Sequence, residues 1–398
     1  MVGSGTSLSL HDLYIMSTTK LWLERSRNYP LSVRVLHVPV GRVPDPRSAQ
    51  LLAMLIPEAR RWRHVQFIIP AANMAPLRQH LPKGFPALQT LTLQMKGLWN
   101  SEPSLDILNT NIPWHQLTTL DLQMEYNNLP TLDECLDILS KTENITRCTL
   151  SADCVLSDKD VHRDAFSLPT LEELHLILQG DSDTQPQVAE RPEASLIHFL
   201  GLTSTPNLRT LRLDWLLGGP RVASQLWSPS HPLFLSFLRS ISSTLQSFAI
   251  SYLPLSEREL MECLTLVPKV THLDLRFSLS DQEHDPITDN LLSSLSLHSA
   301  PSADRLHTRP RSGEQPLLPF VQHFNIQCHG ERLSNAVLIA MIQSRWRHMS
   351  LDAEYSPYSR LAMFRLLSMK PVIGEVVKRV RLWSQEGLDI SIDSLIIR

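Results

Sequence analysis

Three histidines share one position in a recurring pattern of the sequence. His272, His323 and His348 each lie two residues after an apolar residue, in the segments VTHLDL, VQHFNI and WRHMSL. If the insertion at 281–316 adds no strand, they stack on successive strands about 4.8 Å apart, where imidazoles could hold zinc. Asp274 belongs to only one of these segments, so no acidic group accompanies all three histidines. We therefore expect a protein-binding patch without metal, whose affinity changes as imidazole titrates around pH 6.5.

The same pattern supplies the other residues of the candidate site. Apolar residues at x, x+3 and x+5 of a strand send x+2 and x+4 to the opposite, concave side. Both of these columns are almost wholly polar along the chain, as a solvated face requires. The predicted protein-binding residues are His272, Asp274, His323, Asn325, His348, Arg379 and Arg381.

The sequence lacks the short motifs that mark common enzyme sites. GxSxG, GxxxxGK[ST], HExxH and GxGxxG are all absent. Residues 181–183, DSD, resemble the start of a calcium loop but lack its later Gly and Glu. Cys148 occupies a triplet position, which predicts a small buried hydrophobe and not a nucleophile. We predict a protein that is not an enzyme and needs no cofactor or metal, with a metal-dependent hydrolase as a remote alternative.

Charge and cysteine usage limit the classes of partner and compartment. The chain has 37 Lys and Arg against 40 Asp and Glu, so its formal net charge is -3. A nearly neutral chain gives no general field for nucleic acid or anionic membrane. It has five cysteines and no CxxC pair, which favours a reducing compartment, cytoplasmic or nuclear. No secretory signal and no apolar stretch long enough to span a membrane are evident, so we expect no membrane partner.

The apolar triplet recurs at the spacing of a structural repeat. Leu makes up about one residue in six, and several triplets begin about 25 to 29 residues apart, the period of leucine-rich repeats. The usual Asn or Cys after the last triplet residue is absent, so the repeats are degenerate. The triplets begin at residues 62, 88, 117, 145, 171, 208, 245, 270, 321, 346 and 377.

Helical patterns fill the segments between triplets. Thr131 with Glu134, and Ser256 with Glu259, have the spacing of a capping box at a helix start. The segment from Leu333 also has helical apolar spacing. A strand and a helix of this size bury their apolar faces only by stacking on neighbouring units. We predict an α/β leucine-rich-repeat-like solenoid, or horseshoe, with ten to twelve parallel strands on the concave side and helices outside.

The pattern divides the chain into a cap and a solenoid. Residues 1–30 are predicted to form an N-terminal cap helix, and 31–398 the solenoid. Long polar loops are predicted near 179–193, 217–232 and 281–316. The tetrapeptide Arg-Trp-Arg-His occurs twice, from Arg61 and from Arg345. We interpret both copies as the start of a triplet, with Trp62 and Trp346 buried.

Three segments resemble a known family. LWLERSRNYPLSV at 21–33, EARRWRHVQFIIP at 58–70 and FPALQTLTLQM at 85–95 are similar to the leucine-rich-repeat region of F-box proteins of mushroom-forming fungi. The resemblance implies the substrate-recognition part of an F-box-type ubiquitin-ligase receptor. About 20 residues precede the first segment, too few for an F-box. We therefore expect binding to the cullin-ligase adaptor only if an F-box lies upstream, and keep a stand-alone leucine-rich-repeat module as the alternative.

Overall fold

The structure is a computed structural model, and it describes eleven ranges of the chain. These ranges are 10–37, 46–70, 84–96, 112–124, 129–154, 163–179, 192–217, 227–297, 316–347, 358–371 and 374–395. The chain divides into two compact units, Met1–Asp153 and Cys154–Arg398. The described residues form an α/β fold whose sheet contains twelve parallel strands, within the predicted number and compatible with a solenoid.

Unit 1 contains five parallel strands in the order of the chain, β1-β2-β3-β4-β5. The strands are β1 (Leu31–Leu36), β2 (Trp62–Pro70), β3 (Thr90–Lys96), β4 (Thr119–Gln123) and β5 (Arg147–Asp153). Its described helices are α1 (Leu10–Ser26), α2 (Pro46–Leu55) and α3 (Leu132–Ser140), with 3-10 turns at Ile56–Arg61 and Trp114–Gln116. The triplet does not predict β1, because its buried residues alternate strictly, at Leu31, Val33 and Val35.

Unit 2 contains seven parallel strands of the main sheet, again in chain order. A separate pair joins β6 (Phe166–Ser167) to β8 (Thr203–Ser204). The main strands are β7 (Glu173–Gln179), β9 (Thr210–Trp215), β10 (Ser247–Ser251), β11 (His272–Arg276), β12 (His323–Cys328), β13 (Met363–Ser368) and β14 (Asp389–Ser394). The described helices are α4 (Pro192–Leu202), α5 (His231–Ile241), α6 (Glu257–Leu266), α7 (Asp289–Leu295), α8 (Asn335–Arg347) and α9 (Gly374–Gln385).

Burial alternates along the strands as the triplet predicts. On β11, Leu273 and Leu275 are buried while His272 is exposed and Asp274 half-buried. The predicted core residues Leu91, Leu120, Leu174, Leu211 and Leu273 are all buried, and Met349 lies outside the described residues. Burying one such side chain stabilises the fold by about 1.5–3 kcal/mol. One face of each of these strands therefore belongs to the core.

Local capping starts two of the helices where the sequence predicts. At α3, the Glu134 amide donates to Thr131 Oγ1 (3.2 Å) and the Thr131 amide donates to Glu134 Oε2 (2.8 Å). At α6, Ser256 and Glu259 make the same reciprocal pair. Each box satisfies backbone donors that the first helical turn leaves without partners. These caps fix where the chain turns from strand to helix.

The strand predicted from residue 377 is wrong, and the described start of the strand predicted from residue 346 is helical. Trp346 lies in α8, and the segment beginning at residue 377 lies in α9. Apolar residues three apart fit a helix face as well as a strand triplet, and in these segments the helical neighbours decide. The strands of these repeats are β13 and β14. The triplet of β13 is Leu361, Phe364 and Leu366, all buried.

Parts of the three predicted loops fall in described ranges. Helix α7 lies within the 281–316 segment, and the described residues of this segment contain no strand. Residues 298–315 lie outside the described ranges. Residues 180–191 and 218–226 of the other two loops are also outside them. No helix in the described part of the chain is long and apolar enough to cross a membrane.

Candidate protein-binding face

Two of the predicted histidines are direct neighbours on the sheet. His272 on β11 and His323 on β12 are partners in the parallel register. Their rings stack with centroids 4.2 Å apart and planes 4° apart. Partial burial and then the charge of His323 lower the pKa of His272, because a second imidazolium at this distance is repelled. The pair therefore presents two stacked aromatic rings, of which His272 is exposed and His323 half-buried.

The third predicted histidine does not continue this column. Met363 on β13 is the register partner of His323, and it takes the place predicted for His348. His348 lies outside the described residues, and Trp346, with which the predicted strand begins, lies in α8. Within the described ranges, no group of three or more His, Cys, Asp or Glu is arranged to hold a metal ion.

The predicted residues Asp274 and Asn325 are joined by a hydrogen bond. Asn325 Nδ2 donates to Asp274 Oδ1 at 2.8 Å. Arg276, on the same strand as Asp274, donates from Nε at 3.0 Å and from a terminal nitrogen at 2.7 Å to the two carboxylate oxygens. The hydrogen bond to Asp274 is the main reason that the pKa of Arg276 is raised. This fork holds the Asp274 carboxylate in one orientation beside the histidine pair.

A second polar cluster lies on the same face of unit 2. His175 Nε2 lies 2.7 Å from Asp214 Oδ2, and Arg212 Nε donates to the same oxygen at 3.0 Å. Burial would raise the pKa of Asp214, but hydrogen bonds from His175, Ser251 and Arg212 outweigh it and hold that pKa well below its usual range. His175 and Arg212 occupy predicted polar positions. Asp214 escaped prediction because it lies one step beyond the triplet, at x+6.

The two predicted arginines Arg379 and Arg381 lie on helix α9 and not on a strand. Arg379 Nε instead pairs with Glu375 Oε1 at 3.2 Å, one helical turn away. Arg365 on β13 occupies the strand position, in register with Asn325, and lies 3.3 Å from Asp389 of β14. The error follows from the strand assigned to residue 377.

The cysteines of the chain are buried and reduced. All five are buried and form no disulfide, and Cys148 is buried at its predicted triplet position on β5. Burial, and then the charge of Asp121, raises the pKa of the Cys148 thiol far above its usual range. The thiolate is the reactive form, so this position has the character of a hydrophobic core residue.

Comparison with known proteins adds no family. No protein-family model matches the chain, and no curated protein matches it. The function of the strands of unit 2 is therefore inferred from the geometry of their polar side chains. We use "strand face" below for His272, Asp274, His323, Asn325 and the neighbours Arg276 and Arg365.

Proposed function

We propose that this protein is a non-enzymatic protein-binding scaffold with the architecture of a degenerate leucine-rich-repeat horseshoe. The observation that carries the proposal is the strand face, where adjacent strands hold His272 against His323 and Asn325 against Asp274. Surface side chains that are already ordered lose less conformational entropy when a partner binds. A stacked aromatic pair beside a fixed ion pair suits a partner with both apolar and hydrogen-bonding groups.

The F-box resemblance supports a more specific role for this scaffold. We propose that it is the substrate-recognition part of an F-box-type ubiquitin-ligase receptor in the cytoplasm or nucleus. The alternative is a stand-alone leucine-rich-repeat module that binds partners without ubiquitin-ligase chemistry. We expect the 398-residue chain by itself not to co-precipitate the cullin-ligase adaptor, and transcripts read upstream of Met1 separate the two roles. A longer product that contains an F-box and binds the adaptor supports the receptor, whereas transcripts without an F-box favour the stand-alone module.

The binding face itself is tested with two charge changes. Asn325→Arg places a new cation at the centre of the strand face, and Arg381→Glu changes an exposed charge on helix α9. We expect Asn325→Arg to weaken co-purification of the natural partner by about tenfold or more, equivalent to about 1.4 kcal/mol. Arg381→Glu should leave it unchanged. Equal loss in both variants, or loss in Arg381→Glu alone, would contradict a partner on the strand face.

A further inference from the structure

A large cavity opens at the carboxyl ends of β9, β10 and β11 in unit 2. Its volume is about 1000 Å³, at the upper end of the usual range for ligand pockets. The walls come from the start of α6, the segment 281–286, Asn290 of α7 and Arg332. We call this cavity the carboxyl-edge pocket. It is distinct from the strand face, whose histidines and Asp274 do not line it.

An aromatic row lines one side of the carboxyl-edge pocket. Trp215, Tyr252 and Phe277 line the pocket, and each comes directly after one of three register neighbours, Asp214 of β9, Ser251 of β10 and Arg276 of β11. Trp215 and Phe277 are buried, whereas Tyr252 is 41% exposed. The next residue along the chain from Trp215, Leu216, is 40% exposed and also lines the pocket. The pocket therefore offers accessible apolar surface to a ligand.

Tyr252 is held in position by its backbone and by its hydroxyl group. Its φ angle is 60°, in the left-handed region that costs a non-glycine residue about 1 kcal/mol or more. The Tyr252 amide donates to the Arg276 carbonyl at 2.6 Å. Gln327 Nε2 of β12 donates to the Tyr252 hydroxyl at 3.1 Å, which leaves the hydroxyl proton available to a ligand. The ring is thus fixed at the pocket without being buried.

The charge of the pocket favours a cation. Two arginines, Arg258 and Arg332, face six carboxylate residues, a formal excess of four negative charges with His284 neutral. Arg332 pairs with Glu257 at 3.5 Å and Arg258 with Glu262 at 2.9 Å. The six carboxylate residues are Glu257, Glu259, Glu262, Asp281, Glu283 and Asp285.

The Glu262 carboxylate of this pocket is fixed by contacts that leave its charge in place. Trp227 Nε1 donates to His231 Nδ1 at 3.2 Å, so Nε2 of that ring carries the proton directed at Glu262, 3.1 Å away. Hydrogen bonds, first from Arg258, lower the pKa of Glu262 and keep it ionised. Glu283 is exposed. Arg258, whose side chain is 87% exposed, is the group that an incoming cation would displace from Glu262.

We propose that the carboxyl-edge pocket binds a peptide segment of the partner in which a Lys or Arg side chain neighbours an apolar one. The basic group pairs with the carboxylates, and the apolar side chain packs on Leu216 and Tyr252. This inference rests on the proposed scaffold function, because it names the chemistry of a partner. It does not require that the strand face and the pocket bind the same segment.

Fluorescence anisotropy with the purified full chain tests the chemistry of the ligand. The probe is a labelled octapeptide in which Arg alternates with Leu. Three comparison ligands are the same peptide with Glu for Arg, the same peptide with Gly for Leu, and argininamide as a competitor. We expect the Arg–Leu peptide to bind at least about tenfold more tightly than the Glu–Leu or Arg–Gly peptide. Binding should weaken as salt is raised.

Matched variants locate the binding. Glu283→Lys reverses an exposed charge in the pocket, and Leu216→Ser removes its accessible apolar surface. Glu375→Lys makes the same charge change on α9, where Glu375 is also exposed and does not line the pocket. We expect each pocket variant to weaken the Arg–Leu peptide by about fivefold or more, and Glu375→Lys to leave it within about twofold.

Each other outcome overturns the inference. Equal binding of the Glu–Leu peptide excludes a cationic ligand, and equal binding of the Arg–Gly peptide excludes the apolar contact. Argininamide that binds as tightly as the peptide identifies a small amine as the occupant. Unchanged peptide binding in Glu283→Lys and Leu216→Ser removes the pocket as the site. If these fail while Asn325→Arg still abolishes partner binding, the scaffold function stands and the pocket inference alone is lost.

Discussion

The two copies of Arg-Trp-Arg-His lie in different secondary structures. In unit 1, Arg61 ends a 3-10 turn and Trp62 begins β2. In unit 2, Arg345 and Trp346 lie in the last turn of helix α8. The tryptophan is buried in both copies, at 2% and 5% exposure. The shared letters therefore predict burial of the tryptophan, while the flanking sequence decides between strand and helix.

The first arginine of each copy joins distant parts of its unit by different contacts. Arg61 donates to the Tyr29 carbonyl and to Ser26 Oγ, and pairs with Glu58 at 2.8 Å. Arg345 is fully buried, and its described hydrogen bonds all go to main-chain carbonyls. These bonds join Nε to the Leu295 carbonyl (2.5 Å) and the terminal nitrogens to the Leu317 and Leu318 carbonyls (2.7 and 3.1 Å). Burial lowers the pKa of Arg345 to about 10, so it stays charged at neutral pH.

Replacing these two arginines should give the largest difference in stability between the two copies. Arg345→Met removes a hydrogen bond from each of three main-chain carbonyls at α7 and at 317–318, and should lower the free energy of unfolding by about 3 kcal/mol or more. Arg61→Met removes a half-exposed pair and should cost about 1 kcal/mol. Urea unfolding of the two variants measures both. Equal losses would contradict the contrast between a buried and a partly solvated arginine.

The tryptophans should differ when each is changed to phenylalanine. Trp62 stacks on Phe85, and its Nε1 has no hydrogen-bond partner among the described residues. Trp346 Nε1 donates to Glu386 at 2.9 Å, and the Arg360 guanidinium lies 3.4 Å above its ring. Trp346→Phe should therefore destabilise by about 1 kcal/mol more than Trp62→Phe. Thermal or urea unfolding checks this order, which a larger loss in Trp62→Phe would contradict.

The histidines extend the comparison to the strand face. His64 of the first copy faces solvent beside Thr90, while His323 stacks on His272. His323→Ala should weaken partner binding without unfolding the chain, and His64→Ala should leave binding unchanged. Circular dichroism controls for folding. Loss of the thermal transition in His323→Ala would assign His323 to the core and not to a binding face.

The smallest expected effect is a dependence of stability on pH. The pKa of His272 is lowered in the folded chain, so between that value and about 6.5 the unfolded chain binds more protons. Stability should therefore fall as the pH falls through this window. His272→Gln should flatten the fall, and His64→Gln should not. Urea unfolding at several pH values measures this dependence. An unchanged slope of stability against pH in His272→Gln would exclude the stacked pair as its cause.

The sequence predicts most strands and their buried residues. In the triplet Leu208, Leu211 and Leu213, all three residues are buried and the last two lie on β9 at their predicted place. The prediction fails in the last repeats. The spacing of 25 residues from Val321 selects Trp346, although Leu361 also begins a triplet and leads into the actual strand β13. Helix α8 has 13 residues, and β13 begins later in the chain than the usual repeat length would place it.

The sequence predicts the residues of the candidate site where it assigns their strands correctly. His272, Asp274, His323 and Asn325 come together because their strands are correctly assigned. Arg379 and Arg381 lie on α9 because the strand assigned to residue 377 is wrong, and His348 lies outside the described residues. Asp214 and Arg276, which make the hydrogen bonds to His175 and Asp274, lie at x+6. A triplet that ends at x+5 does not predict residues at this position.

One measurement tests the central claim, a partner on the strand face, most directly. A photo-crosslinking residue is placed at Asn325 on β12 and, in a second variant, at Arg381 on α9, and the co-purified partner is irradiated with each. We predict a crosslinked complex from position 325 and none from position 381. Crosslinking from position 381 with none from position 325 would contradict the account and place the partner on the helices.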